Sequence, residues 1–100
     1  MLSISNTVVG DVNEIKLVGR LDVKTVRDAE SSFTEMATQA TDVVLDMEEL
    51  EYIASAGLRL LKRLRSDVRA NGGTLTLRNV QEDVMEIFEM TGFAAMLTFE

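Results

Sequence analysis

The stretch from Asp46 to Leu61, DMEELEYIASAGLRLL, carries the chain from a predicted buried strand into a predicted helix. The strand is the apolar run Asp42–Asp46, a pattern typical of strands that are covered on both faces. An acidic segment, Met47–Glu51, is predicted to be a loop, and the helix is predicted to begin near Ser55. Apolar spacing predicts that the buried face of this helix contains Leu60, Leu61, Leu64 and Val68. This arrangement is typical of an α/β domain with the strand at the centre of its sheet.

Toward the N-terminus, two short runs rich in β-branched residues, Leu2–Val9 and Val12–Val18, are separated by a two-residue turn. They predict an antiparallel β-hairpin. Residues 19–22 break this pattern, and from Val23 onward apolar residues recur at spacings of three and four. That spacing predicts an amphipathic helix with Asp22 as its N-cap.

Toward the C-terminus, the helix that follows Ser55 is predicted to end at Asn71-Gly72-Gly73, because glycine tolerates the positive φ of a helix cap. Thr74–Leu77 predicts a strand, a third helix is predicted to run to about Met90, and Met96–Phe99 predicts a final short strand. The order β-β-α-β-α-β-α-β predicts parallel pairing after the hairpin, so the sheet is mixed.

Composition limits the possible functions. The 100 residues contain 46% hydrophobic residues, enough for one domain over residues 1–100. The chain has no histidine and no cysteine, so it lacks an imidazole base, a thiol nucleophile and the usual zinc ligands. We therefore expect no enzymatic activity, no catalytic residues, no metal and no cofactor. No signal peptide or membrane span is visible, which predicts a cytoplasmic protein without membrane insertion.

The net charge of −7 argues against direct nucleic-acid binding, which needs a cationic surface. Positive charge is nevertheless concentrated in the predicted second helix, which contains Arg59, Lys62, Arg63, Arg65 and Arg69. One interpretation is a solvated face that is balanced by acidic neighbours. The other is a surface that meets an acidic patch on a partner protein.

Ser55 also has two interpretations. Serine is a common N-cap, whose hydroxyl accepts a hydrogen bond from the first turn of the helix. Alternatively Ser55 is a phosphorylation site, because unpaired N–H groups and the helix dipole favour an anion at a helix N-terminus. Both interpretations can hold for one residue.

Three motifs resemble those of one protein family. Tyr52–Leu58, YIASAGL, resembles the signature of STAS domains, in which a hydrophobic strand is followed by Asp-Ser-Ser-Gly-Leu. Residues 19–22, GRLD, resemble the family's Gly-Glu-Leu-Asp turn, and Glu86–Phe93 resembles its closing Leu-x-Leu-Thr-Gly-Leu segment. Ala54 stands where the family usually has aspartate, and Ala56 where it usually has a second serine.

The resemblance implies an α/β STAS fold, with a mixed β-sheet opened by an antiparallel hairpin and helices packed mainly on one face. It implies an anti-sigma factor antagonist that acts by partner switching. The partners would be an anti-sigma factor serine kinase, which phosphorylates Ser55 and thereby releases the antagonist, and a PP2C-type phosphatase. The docking surface around Ser55 would contain Asp22, Ala54, Ala56, Gly57 and Leu58. The interpretation of the cationic helix as a partner-binding surface adds Arg59 and Lys62 to it.

Two other functions remain open from the sequence. STAS domains also act as unphosphorylated scaffolds or accessory subunits of stress-signalling or transport complexes, and the absence of aspartate at position 54 favours this alternative. A small nucleotide-binding or enzymatic domain is disfavoured, because the chain has no GxxxxGK[ST] loop and no acid/base pair can be named.

Overall fold

A computed structural model describes residues 2–38 and 40–100 of the chain. These residues form five strands and four helices in the order β1 (Leu2–Val9), β2 (Val12–Leu21), α1 (Val26–Met36), β3 (Asp42–Ile53), α2 (Ser55–Ala70), β4 (Leu75–Arg78), α3 (Glu82–Thr91), α4 (Phe93–Met96) and β5 (Thr98–Phe99). None of the helices in these ranges combines the length and the apolar content that a bilayer span needs.

The strands form one mixed sheet in the order β1-β2-β3-β4-β5. β1 and β2 pair antiparallel, and every later pair of neighbours is parallel. The predicted hairpin, the mixed sheet and the central position of β3 are therefore confirmed. The helical connections follow from this order, because parallel neighbours cannot be joined by a tight turn.

One face of the sheet carries the helices and the core. Alternate residues of the three middle strands are buried on this face: Ile15, Leu17, Val43, Leu45, Leu75 and Leu77. α1 packs against β1 and β2, α2 against β3 and β4, and α3 against β3. The rings of Phe88 in α3 and Phe99 in β5 have centroids 5.9 Å apart, and Phe99 pairs with Leu77 on the same face. The prediction that the helices pack mainly on one face is confirmed.

The opposite, helix-free face of the sheet is polar, and two of its cations, Lys16 and Arg78, are paired with carboxylates. Lys16 Nζ lies 2.7 Å from Glu49, and the Arg78 guanidinium contacts Glu14 at 2.9 Å and Glu100 at 3.3 Å. The hydrogen bond that Lys16 donates to Glu49 raises the pKa of Lys16, and the hydrogen bond that Arg78 donates to Glu14 raises the pKa of Arg78. The charges of Lys16 and Arg78 are thus balanced by carboxylates of the same domain.

β2 and β3 are longer than predicted, and the predicted acidic loop Met47–Glu51 is wrong because it is part of β3. β2 also continues through the predicted break to Leu21, where it pairs with Ile53. Two register shifts in this pairing leave Met47, Leu50 and Ile53 buried at spacings of three. In a regular strand buried and exposed residues alternate. Because the apolar residues of this segment are three apart, its sequence did not indicate a strand, and a loop was predicted. β4 accompanies β3 only as far as Asp46.

The ends of three other elements also differ from the prediction. α1 begins at Val26 with Thr25 as its N-cap, so the prediction of a helix from Val23 capped by Asp22 is wrong. β4 is displaced by one residue, and Met96 ends α4 instead of starting the last strand. The αL conformation of Gly92, with φ 82°, separates α3 from α4. α2 runs from Ser55 to Ala70 and ends before Gly72, whose φ is 84°, as predicted.

Candidate functional site

The ends of β2 and β3 meet at one edge of the sheet, where α2 begins. Leu21 pairs with Ile53, and the Ala54 N–H donates a hydrogen bond to the Leu21 carbonyl at 2.9 Å. Asp22 and Ala54 therefore follow two neighbouring parallel strands at their carboxyl ends. This edge is where open α/β sheets form their binding sites. The structure thus brings the end of β2, which Asp22 follows, next to Ala54 at the start of α2.

Asp22 organises the turn between β2 and α1. Its carboxylate accepts hydrogen bonds from the N–H groups of Lys24 at 3.0 Å and Thr25 at 3.1 Å. The Thr25 hydroxyl accepts the Asp22 N–H and donates to the Arg20 carbonyl, both at 2.9 Å. The residues between Asp22 and Val26 form a turn, and the helix starts three residues later than predicted. The turn is held in one shape beside the start of α2.

The backbone hydrogen bond from Thr25, followed by that from Lys24, lowers the pKa of Asp22 below its ordinary value of 3.8. A lowered folded-state pKa stabilises the domain fully above that ordinary value, and the contribution is lost as the pH falls through the folded-state pKa. We expect Asp22→Asn to lower the Tm at neutral pH and this difference to shrink below pH 3.8. Thermal unfolding across this pH range measures it. A difference that stays constant in acid would contradict the assignment.

Ser55 is exposed and is the first residue of α2. The N-cap is Ala54, in an extended conformation with φ −95° and ψ 172°, and no side chain makes a cap hydrogen bond at this end. The interpretation of Ser55 as the N-cap is therefore wrong, because the chain enters the helix one residue earlier. Its hydroxyl is displayed at a helix end whose N–H groups and dipole favour an anion.

Gly57 allows the start of α2 to pack closely against the ends of β2 and β3. A Cβ atom added at this position would lie 2.8 Å from Ile53 Cγ1 and 2.9 Å from Leu21 Cγ. Such distances are too short for carbon atoms, so the close approach requires glycine. Leu58 beside it is also buried. Gly57 and Leu58 of the predicted docking surface therefore lie beneath the surface, whereas Ala54 and Ala56 are half-buried at its rim.

The exposed side of α2 carries a line of residues that we term the α2 stripe: Ser55, Arg59, Lys62, Ser66 and Arg69. Their spacings of three and four place them on one side of the helix. Arg59 also lines a groove of about 300 Å³ between α1 and α2, together with Glu30 and Arg63. Arg63 pairs with Glu30 at 3.5 Å. Within residues 2–38 and 40–100, Arg59 and Lys62 form no ion pair.

The sequence did not reveal three further residues at this edge. The Arg20 guanidinium lies over the Tyr52 ring at 4.5 Å from its centroid, since the two residues pair across β2 and β3. Val23, in the turn held by Asp22, is 72% exposed. The available signal was position alone, because Arg20 lies within the GRLD segment, Val23 directly follows it, and Tyr52 begins the YIASAGL run.

Among the described residues, no group of three or more carboxylates is arranged to hold a metal ion. The site instead combines an exposed hydroxyl, cations on a helix face that have no ion pair within the described ranges, and an apolar and aromatic rim. An arrangement of this kind can bind a protein surface and respond to a change of charge.

Comparison with known proteins places these features in a family. The family model of the STAS domain matches residues 3–100. The anti-sigma-B factor antagonist of Staphylococcus aureus is 30% identical over 97 residues, which cover 96% of this chain and 90% of the relative. The unphosphorylated form of the anti-sigma factor antagonist SpoIIAA superposes with a TM-score of 0.81 at 20% identity, covering 100% of this chain and 88% of that one. The phosphorylated form of SpoIIAA, a Bacillus cell fate determinant, gives 0.73 at 20% identity, covering 100% and 91%.

Proposed function

The chain belongs to the STAS domain family, and we propose that it acts in the cytoplasm as a single-domain anti-sigma factor antagonist. The S. aureus relative, which carries that function in its name and aligns along almost the whole chain, supports the proposal. In this role the protein binds an anti-sigma factor and so releases the sigma factor. It is a binding protein and a kinase substrate, without catalytic residues or a cofactor of its own.

The switch is phosphorylation of Ser55. The anti-sigma factor is a serine kinase that transfers the γ-phosphoryl group of ATP to Ser55 Oγ, with release of ADP and the hydroxyl proton, and a PP2C-type phosphatase removes the group. The single observation that carries this proposal is the exposure of Ser55 as the first residue of α2. A dianion added there needs no unfolding of the core, yet it changes the charge of the surface.

The docking surface is the carboxyl edge of β2 and β3 with the adjoining part of α2. Asp22, Ala54 and Ala56 form the rim around Ser55, while Gly57 and Leu58 hold the helix in place beneath it. Arg59 and Lys62 extend the surface along the α2 stripe and meet acidic groups of the anti-sigma factor. Their lack of ion pairs within the described chain supports this role, because complementary charge speeds association and selects partners.

Asp22 supplies the acidic group that the family usually has at position 54. The register of β2 and β3 places Asp22 beside Ala54, and the turn hydrogen bonds that lower the Asp22 pKa keep its carboxylate ionised. A kinase that recognises a negative charge next to its target serine finds one there.

Phosphorylation is tested directly with ATP and the anti-sigma factor kinase recovered with this protein from its source cells. We expect one added phosphate, seen as a mass increase of ~80 Da that Ser55→Ala eliminates. Ser66→Ala is the matched control, because Ser66 is exposed on the same stripe, and it should leave the mass increase intact. An unmodified wild-type protein would rule out the kinase-substrate role.

The alternative is a STAS scaffold or accessory subunit that is never phosphorylated. The observation that favours it is Ala54 in place of the usual aspartate. It predicts a stable complex with a partner and no change of mass with ATP.

A further inference from the structure

Ser55 and Arg59 are one helical turn apart on the exposed side of α2. Side chains at this spacing have Cβ atoms about 6 Å apart. Helical side chains lean toward the N-terminus of their helix, so a residue at position 59 can extend its side chain over the turn that contains Ser55. The order of the pair, with the acceptor position before the cation, is also the favourable one for an ion pair in a helix.

Within the described residues, Arg59 has no carboxylate partner, and the nearby acids are already engaged. Glu30, which lines the same groove from α1, pairs with Arg63. The carboxylate of Asp22, at the end of β2, accepts two N–H groups of its own turn. The first turn of α2 contains no acidic residue. By contrast, Lys16 and Arg78 on the helix-free face are both paired with glutamates.

We propose that Arg59 binds the phosphate of phosphorylated Ser55 within the same molecule. The inference rests on the proposed function, because it requires phosphate on Ser55. The guanidinium fork matches two phosphate oxygens and remains charged at every physiological pH.

This contact gives phosphorylation a second effect. Besides adding a dianion to the docking surface, it takes Arg59 away from the acidic groups of the anti-sigma factor. The docking surface then presents an additional negative group to the anti-sigma factor and loses one cation that could bind it.

The test uses the full chain with phosphoserine incorporated at position 55 during translation, so neither the kinase nor the anti-sigma factor is needed. Phosphorus NMR titration measures the second pKa of the phosphate, which a nearby cation lowers. We expect Arg59→Gln to raise this pKa by about 0.3 unit relative to the unsubstituted phosphoprotein. Arg59→Lys should restore part of the difference, because it keeps the charge without the fork.

Arg69→Gln is the matched control. Arg69 is exposed on the same stripe but about 21 Å from Ser55 along the helix, beyond the range of unscreened charge, and its loss should move the pKa by less than about 0.1 unit. Equal pKa values for the Arg59→Gln and Arg69→Gln phosphoproteins would overturn the proposal. A protein that no kinase phosphorylates, yet shows the expected shift, would contradict the proposed function alone.

Discussion

Ser55→Asp should weaken binding to the anti-sigma factor by about 30-fold, equivalent to about 2 kcal/mol, while Ser55→Ala changes it by less than about twofold. Only the aspartate places a carboxylate inside the interface, where it is desolvated and faces the acidic groups that Arg59 and Lys62 would bind. Surface plasmon resonance or calorimetry with the unmodified anti-sigma factor measures both affinities at one salt concentration.

Ser66→Asp is the control for this comparison. It adds the same charge to the same helix, about 16 Å further along, outside the proposed docking surface. We expect its affinity to stay close to that of the wild type. Equal affinities for Ser55→Asp and Ser55→Ala would favour the scaffold function, and equal losses in Ser55→Asp and Ser66→Asp would indicate a general effect of net charge.

Gly57→Ala should lower the free energy of unfolding by about 2 kcal/mol and the Tm by about 10 °C. Helix propensity alone predicts the opposite sign, because alanine stabilises helices relative to glycine by up to about 1 kcal/mol. The contacts decide the sign, since the new methyl group would lie less than 3 Å from side-chain carbons of Ile53 and Leu21. Chemical denaturation followed by circular dichroism measures the change.

A double-mutant cycle with Leu21→Ala identifies the cause. Leu21→Ala alone creates a cavity and is costly, but it removes two of the three carbon atoms that the new methyl group would meet. Gly57→Ala should therefore cost about 1 kcal/mol less in the Leu21→Ala background than in the wild type. An osmolyte such as sucrose keeps the double variant folded for the measurement. Strictly additive effects would show that Gly57 is required for another reason.

The parts of the fold that the sequence predicted well have a regular apolar pattern. The hairpin alternates, α2 has apolar residues at helical spacing, and β3 begins with an uninterrupted apolar run at the centre of the sheet. The position of Ser55 at the start of α2 was predictable for the same reason. That Ser55 lies near Asp22 was predicted only from the resemblance to the STAS motifs, because no local sequence pattern relates positions 33 residues apart.

What the sequence did not show depends on tertiary contacts. The length of β3 results from register shifts against β2, which put buried residues three apart. α1 starts only after a turn at residues 23–25, in which Lys24 and Thr25 donate their N–H groups to the Asp22 carboxylate. Which cations of α2 remain unpaired is decided by the packing of α1, because it brings Glu30 to Arg63 and leaves Arg59 without a carboxylate among the described residues.

The second half of β3 has a consequence for the protein at high concentration. Beyond Asp46 no described strand lies on the side of β3 away from β2, where the Gln81 amide donates a hydrogen bond to the Glu48 carbonyl at 2.6 Å. An open strand edge is a template on which another copy can add its own strand and begin to aggregate. Glu48 and Glu51 are exposed along this segment, and two such edges repel each other. The same glutamates made the second half of β3 resemble a loop in the sequence, and in the folded protein they disfavour pairing between the open edges of two molecules.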